Sequence, residues 1–234
     1  MSVREMDPTE VALGNGSAAG NTSGVVATYL RDRILEGQLR PGDRIRQEDV
    51  AAANGTSRVP VREALRVLES EGLVRLVPHS GATVARLDFH EFSEIYRLRE
   101  ALEPLLLAAS VPVLTETQVE RLGQLCNETA VAGSKADVNE WIDCDRRFHL
   151  SAYVPETMPR AYRIASDFWN RTQQYRRGFV ATLDEGARYV INMEHRLLLD
   201  AIEKRDAEGA ADRLRLHIRR TRLALADRQE LFDL

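Results

Sequence analysis

From Asp88 to the C-terminus, apolar residues recur at helical spacing, and no alternating or β-branched run reads as a strand. Architectures built on a large sheet are thereby excluded for the greater part of the sequence. The pattern predicts helices over about residues 89–110, 116–131, 136–152, 159–180, 186–204 and 206–231, joined by short connections. Helices joined so tightly pack antiparallel on their neighbours, which predicts an all-α helical bundle for residues 88–234. Pro104 lies inside the first segment and is a candidate kink.

The residues before Asp88 read differently. Residues 1–20 are rich in Gly, Ser, Ala and Asn and bury too little apolar surface to offset ordering entropy, so a flexible arm is expected. In "GVVATYLRDRILEGQLRPGDRI", Val26, Tyr29, Leu30, Ile34 and Leu35 form a helical stripe that ends near Gly37, and "RPGD" turns the chain. "QEDVAAANGTSRVPVREALRVLESEGLV" then predicts a short helix, a turn over Asn54–Ser57 and a second helix. Ser57 is its expected N-cap, Pro60 falls in the first turn where its missing N–H costs little, and Gly72 suits the C-terminal end. "LVRLVPHSGATVARL" predicts a two-stranded hairpin turning at "PHSG". Residues 21–87 thus read as a winged helix-turn-helix of three helices and a β-hairpin, and the chain as a whole is mainly α.

The composition is that of an ordinary globular protein, with 44% apolar and 29% charged residues among 234. No run approaches the roughly 18 apolar residues that cross a bilayer. The N-terminus "MSVREMDPTEVALGNGSAAGNTSG" lacks the basic flank and apolar stretch of an export signal, so a soluble, cytoplasmic protein without a membrane partner is expected. Cys126 and Cys144 lack CxxC spacing and are expected to be small buried or half-buried side chains with no role. The net charge of −4 disfavours a nucleic-acid partner only if charge is spread evenly. It is not: residues 21–87 hold ten arginines against eight carboxylates, while residues 1–20 and 88–234 are both net negative.

In the helix after Ser57, Val61, Ala64, Leu65 and Leu68 define the core face, and Arg58, Arg62 and Arg66 recur every four residues on another. A guanidinium stripe on the second helix of such a motif suits major-groove docking, and the helix N-terminus adds N–H groups for phosphate. Three arginines alone fit a solvated face equally well, since Glu63, Glu69 and Glu71 accompany them. The small, polar hairpin tip that follows favours the DNA reading.

Together, "LRPGDRIRQEDVAAANGTSRVPVREALRVLESEGLVRLVPHSGATV" resembles the winged helix of GntR-family bacterial transcription regulators over residues 25–87. It departs from the family pattern mildly, at Thr56 and at Asp49-Val50. The resemblance implies DNA contacts from Ser57, Arg58 and Arg62 at the helix start, with His79, Ser80 and Gly81 of the tip near the minor groove. Some relatives place a further DNA-contacting arginine in the preceding helix; Glu48 stands there, so that contact is not implied.

The chain has five histidines, and two are placed informatively. His195 lies ten residues before Arg205 and His217 eleven after Asp206, on helices joined at that point. In an antiparallel pair both lie about 16 Å from the turn, at 1.5 Å per residue. His195 shares a face with Leu198, Leu199 and Ile202, and His217 with Arg213, Leu214 and Thr221, so both are predicted to face inward. Asp145 and His149, one turn apart in "DCDRRFHL", would add a carboxylate and a third imidazole. Such a donor set suits Zn²⁺, Ni²⁺ or a similar divalent ion. Spacing alone leaves ordinary core histidines as an alternative, because it does not show three helices meeting.

The C-terminal segment resembles the FCD ligand-binding domain of FadR-type GntR regulators, through "LREALEP", "DRRFHL" and "EHRLLLDAIEKRDAEGAADRLRLHI". "FHLSAYVPETMP" departs from the family's usual continuation. The resemblance implies that Asp145, His149, His195 and His217 bind a divalent metal ion, most readily Zn or Ni. Arg99 matches a position that relatives turn toward an effector, a solvated helix arginine being the alternative. The expectation is a homodimeric transcription factor, not an enzyme. It would read an inverted repeat in double-stranded operator DNA and respond to a small-molecule effector, a small carboxylate near the ion. A direct metal sensor is the alternative, and a metal-dependent hydrolase a weaker one, for which no nucleophile or base is evident.

Overall fold

A computed structural model describes residues 22–78 and 81–232. The expected arm over residues 1–20 and the tip residues His79 and Ser80 lie outside the described residues. The chain divides into two units, one ending at Arg86 and one beginning at Leu87.

In the first unit, helix α1 (Thr22–Leu35) buries Val26, Ala27, Leu30 and Ile34, one side of a 3.6-residue period. A turn in which Asp43 accepts from the Arg40 N–H leads into strand β1 (Arg44–Ile45). Helices α2 (Gln47–Ala53) and α3 (Arg58–Ser70) follow, and α3 buries Val61, Ala64, Leu65 and Leu68 completely. Arg31 of α1 forks onto Glu71 at the end of α3, with contacts of 2.8 and 2.7 Å. Strands β2 (Val74–Val77) and β3 (Gly81–Val84) complete the unit.

Two local expectations hold and gain detail. The predicted two-stranded hairpin is part of an antiparallel three-stranded sheet of order β1-β3-β2, with Ile45 opposite Ala82. A two-residue strand carries no readable period, and β1 exists because β3 offers it a free edge. Ser57 does occupy the extended N-cap position of α3, yet its side chain accepts no capping hydrogen bond. Gly72 behaves as expected: at φ 70° it closes α3, with Gly72 N–H bonded to the Glu69 carbonyl and Leu73 N–H to that of Leu68.

The second unit is helical among the described residues: α4 (Phe89–Ser110), α5 (Glu116–Ser134), α6 (Val138–Ser151), α7 (Pro159–Ala181), α8 (Glu185–Glu203) and α9 (Ala207–Ala226). Where one final helix was expected, α9 stops at Ala226 and a 3-10 turn covers Gln229–Phe232. Helix α4 continues through the buried Pro104, forgoing one backbone hydrogen bond. Main helix contacts run α4–α9–α8–α5–α6–α7 and back to α4, a closed circuit of six helices around an interior. Caps set the ends: Asp88, Thr115, Asp137, Asp184 and Asp206 each accept from a first-turn N–H.

Two joints share one design. Ala136 and Arg205 adopt left-handed backbone (φ 54° and 57°) after α5 and α8, and each precedes an aspartate that closes one helix and caps the next. Arg205 also donates to the carbonyls of Val111 and Leu114 and pairs with Glu116, which pins the α8–α9 turn to the α4–α5 junction.

Gly81 opens β3 at φ 98°, and a Cβ there would fall 2.1 Å from the Ile45 carbonyl oxygen. Gly81→Ala is therefore expected to destabilise the first unit by about 2 kcal/mol or more. Urea unfolding of the full chain measures it; a loss below about 0.5 kcal/mol, the range of ordinary surface changes, would show that β1 can yield.

Candidate metal centre

Helix α6 turns Trp141, Ile142, Cys144, Asp145, Phe148 and His149 inward, so the carboxylate and imidazole one turn apart share its buried side. His195 sits on the buried side of α8 with Ile191, Leu198 and Leu199, and His217 enters from α9 between Leu214 and Ile218. The α8–α9 turn brings their rings to 4.8 Å between centroids. All four predicted side chains meet, with one ligand atom from each lying within 4.8 Å of the others. The expected equal depth of His195 and His217 follows from the single turn between their helices.

The contacts within the cluster are close. His149 Nε2 and His195 Nε2 are 3.2 Å apart, and Asp145 Oδ1 lies 3.1 Å from His195 Nε2. Burial, reinforced by the other imidazoles and nearby guanidinium groups, holds His149 and His217 well below the usual histidine range. His195 is pushed down to about 3, mainly by burial. The rings are therefore neutral, the state in which imidazole donates a lone pair to a metal. Three imidazoles and one carboxylate brought within 4.8 Å of one another are the donor chemistry that zinc and nickel take. The donors fit a divalent ion.

Behind the cluster stand residues that sequence reasoning missed. His217 Nδ1 lies 2.7 Å from Glu194 Oε2, and Arg220 of α9 forks onto the same carboxylate, which fixes His217 with Nε2 inward. Glu194 precedes His195 in sequence yet serves the ligand of another helix, so spacing gave no sign of it. Arg176 of α7 pairs with Asp145, and its guanidinium lies 4.0 Å from the centre of the Trp169 ring.

A cavity adjoins the cluster, bounded by Tyr96, Arg99, Trp141, Trp169, Arg176, Phe179, Ile191, Ile218 and Thr221 besides Asp145, His149 and His217. It offers about 30 Å³ to the centres of water-sized occupants, room for about two waters. Arg99 is a wall of this cavity and not a solvated surface arginine: it is 2% exposed. It pairs with Glu103, which also accepts from Tyr153 Oη at 2.6 Å and Trp169 Nε1 at 3.1 Å. Burial opposes its charge, but Glu103 prevails and Arg99 is held above the usual arginine range. Its Nη1 has no partner.

The expected DNA contacts lie in the other unit. Ser57, Arg58 and Arg62 are exposed at the start of α3, opposite its buried face, and Arg58 pairs with Glu48 at 2.9 Å. Gly81 is buried at the start of β3. Both thiols are buried, as expected; burial raises Cys126 and, with Glu140 alongside, pushes Cys144 up to about 11.

Glu103→Gln would leave Arg99 buried without a counter-charge. The expected loss is about 3–5 kcal/mol, a fall on the order of 10 °C in the thermal midpoint, read by calorimetry. An unchanged midpoint would mean that Arg99 finds another acceptor.

Comparison with known proteins bears on both units. The model of the FCD domain matches residues 94–220, and that of bacterial regulatory proteins of the gntR family matches residues 22–84. The HTH-type transcriptional regulator McbR of Escherichia coli (strain K12) is 28% identical over 184 residues, covering 79% of this chain and 83% of that protein. The gluconate operon transcriptional repressor of Bacillus subtilis (strain 168) is 32% identical over 157 residues, 66% of this chain and 62% of the repressor. The solved structure of E. coli McbR/YncC superposes with a TM-score of 0.79 at 26% identity, over 88% of this chain and 98% of that one.

Proposed function

The chain belongs to the gntR family of bacterial regulatory proteins, in the group that carries an FCD domain, and from that premise we propose how it works. It is a DNA-binding transcription regulator and not an enzyme. In our reading it acts as a homodimer on an inverted-repeat operator, and a small carboxylate beside a divalent ion in the helical bundle sets its operator affinity. The observation that carries this reading is the buried Asp145–His149–His195–His217 cluster opening on a cavity walled by arginine.

Zinc or nickel, when bound, would supply positive charge and a coordination position for a carboxylate oxygen. Asp145, His149, His195 and His217 would hold it, Glu194 would orient His217, and Arg176 would orient Asp145. The charge balance supports an anionic effector. Arg99 and Arg176 are matched by Glu103 and Asp145, so a divalent ion leaves two buried positive charges uncompensated. The unpartnered Arg99 Nη1 favours this over a sensor of the ion alone. With about 30 Å³ available, the effector is a few heavy atoms in size unless the wall yields. Coupling then requires only that the effector bind one of two conformations more tightly.

Two further features support a homodimer on DNA. Arg222 pairs with Glu100, and Arg205 reaches the carbonyls of Val111 and Leu114, which fixes α4 and α9 antiparallel. In that register Leu98 and Leu105 of α4 stand level with Leu223 and Leu216 of α9, all 47–65% exposed, an apolar surface suited to a second copy. On α3, Arg58, Arg62 and Arg66 are exposed along one side. Glu48 holds Arg58 by a solvent-exposed ion pair, which a phosphate can displace at little cost.

Arg58→Ala is expected to weaken operator binding and flatten the dependence of log K on log salt by about one unit. Glu48→Gln should do the reverse, strengthening binding at low salt. Fluorescence anisotropy across a salt series reads both; unchanged slopes would remove α3 as the DNA-contacting helix. For the ion, His195→Ala with His217→Ala is expected to abolish zinc binding, and Glu194→Ala to weaken it about 10- to 100-fold in chelator competition. Full zinc affinity in the double variant would refute the metal centre.

A further inference from the structure

Among the described residues, the polar group least explained by packing or by the proposed ion is the hydroxyl of Tyr96. The side chain is 1% exposed, and its Oη has no hydrogen-bond partner. Its ring is well used: it lies 4.5 Å from the Phe92 ring, and the Arg99 guanidinium sits 4.8 Å from its centre. A phenylalanine would fill that place as well. An unpaired hydroxyl in a core loses its water contacts with nothing in return, so the oxygen is carried against stability.

Its position suggests why. Tyr96 and Arg99 are three residues apart on α4, so both belong to one wall of the cavity beside the histidine cluster. Each of these cavity-lining residues carries an unpartnered donor, Tyr96 Oη and Arg99 Nη1. Tyr96 also lies within electrostatic reach of Arg176 on the neighbouring helix α7. Two donors without acceptors, beside two guanidinium groups, call for a guest that brings oxygen acceptors and negative charge.

We propose that Tyr96 is an effector-binding residue, its hydroxyl donating to one oxygen of a small carboxylate while Arg99 Nη1 donates to the other. This rests on the reading of the cavity as the effector site. Tyr96 then discriminates by chemistry more than by size: apolar guests leave both donors unpaired and are rejected, and anions without a second oxygen acceptor bind poorly.

The test is Tyr96→Phe in the full chain. Zinc-loaded wild type and variant are titrated with acetate and with oxalate by calorimetry, and the metal-free forms are melted. The expected result is about 10- to 100-fold weaker binding of whichever anion wild type takes, with zinc affinity unchanged. The metal-free thermal midpoint should stay level or rise, because no native hydrogen bond is lost. A midpoint lowered by more than about 3 °C would show that the hydroxyl has a structural partner and overturn the proposal. Equal anion binding by the two proteins would overturn the role of Tyr96 and leave the cavity as the effector site. If wild type binds neither anion, the effector reading falls and the proposal with it.

Discussion

A charge in the middle of a protein persists only beside its opposite, and the helical bundle is arranged around two such pairs. Arg99 and Glu103 lie one turn apart on α4, while Arg176 of α7 reaches Asp145 of α6. Neither pair is a source of stability in itself, because desolvating two ions consumes most of what their attraction returns. Apolar side chains of the same volume would serve a purely structural bundle as well. What the pairs do is set guanidinium and carboxylate groups against each other in a place otherwise filled by apolar side chains. Burial holds the histidines beside them below their usual range even with Asp145 and Glu194 alongside. One buried interior thus holds ion pairs and imidazoles side by side.

The rest of the site depends on this arrangement being fully satisfied. Glu103 takes bonds from Arg99 on its own helix, from Tyr153 just past α6 and from Trp169 of α7, so it ties α4 to the α6–α7 region while balancing a charge. Glu194 does the same for α8 and α9 through His217 and Arg220. Tyr96 Oη, Arg99 Nη1 and His195 Nδ1 are without partners, and Tyr96 and Arg99 line the cavity. Unpartnered donors on residues that line a cavity are what a polar guest would satisfy.

Much of this was legible in the sequence, for reasons of scale. Contacts inside a helix follow its period, so Asp145 with His149 and the core face of α3 could be read directly. The depth of His195 and His217 could be read because only one turn separates their helices. The caps at Thr115 and Asp184 fix the starts of α5 and α8 in the structure. Contacts between helices distant in sequence were not legible. Arg176 on Asp145 and Trp169 on Glu103 depend on how α7 packs, which no local period encodes. Glu194 was hidden because its partner is on the next helix, and β1 because two residues make no pattern. Ser57 was placed correctly but does not bond as a cap, since backbone conformation at that position does not compel the side chain.

The α8–α9 turn carries a consequence for how this site can change over time. Arg205 holds a left-handed backbone that glycine would adopt freely, yet its side chain ties three groups at the far junction. The turn is thereby locked in length as well as in shape. His195 and His217 are measured out from it in opposite directions, so one inserted residue would rotate α9 by about 100° and shift it about 1.5 Å relative to α8. His217 would leave the cluster while every side chain in the chain remained the same. The cluster is thus written partly in a count of residues, and lineages could lose it by a three-nucleotide insertion at a surface turn as readily as by replacing a histidine.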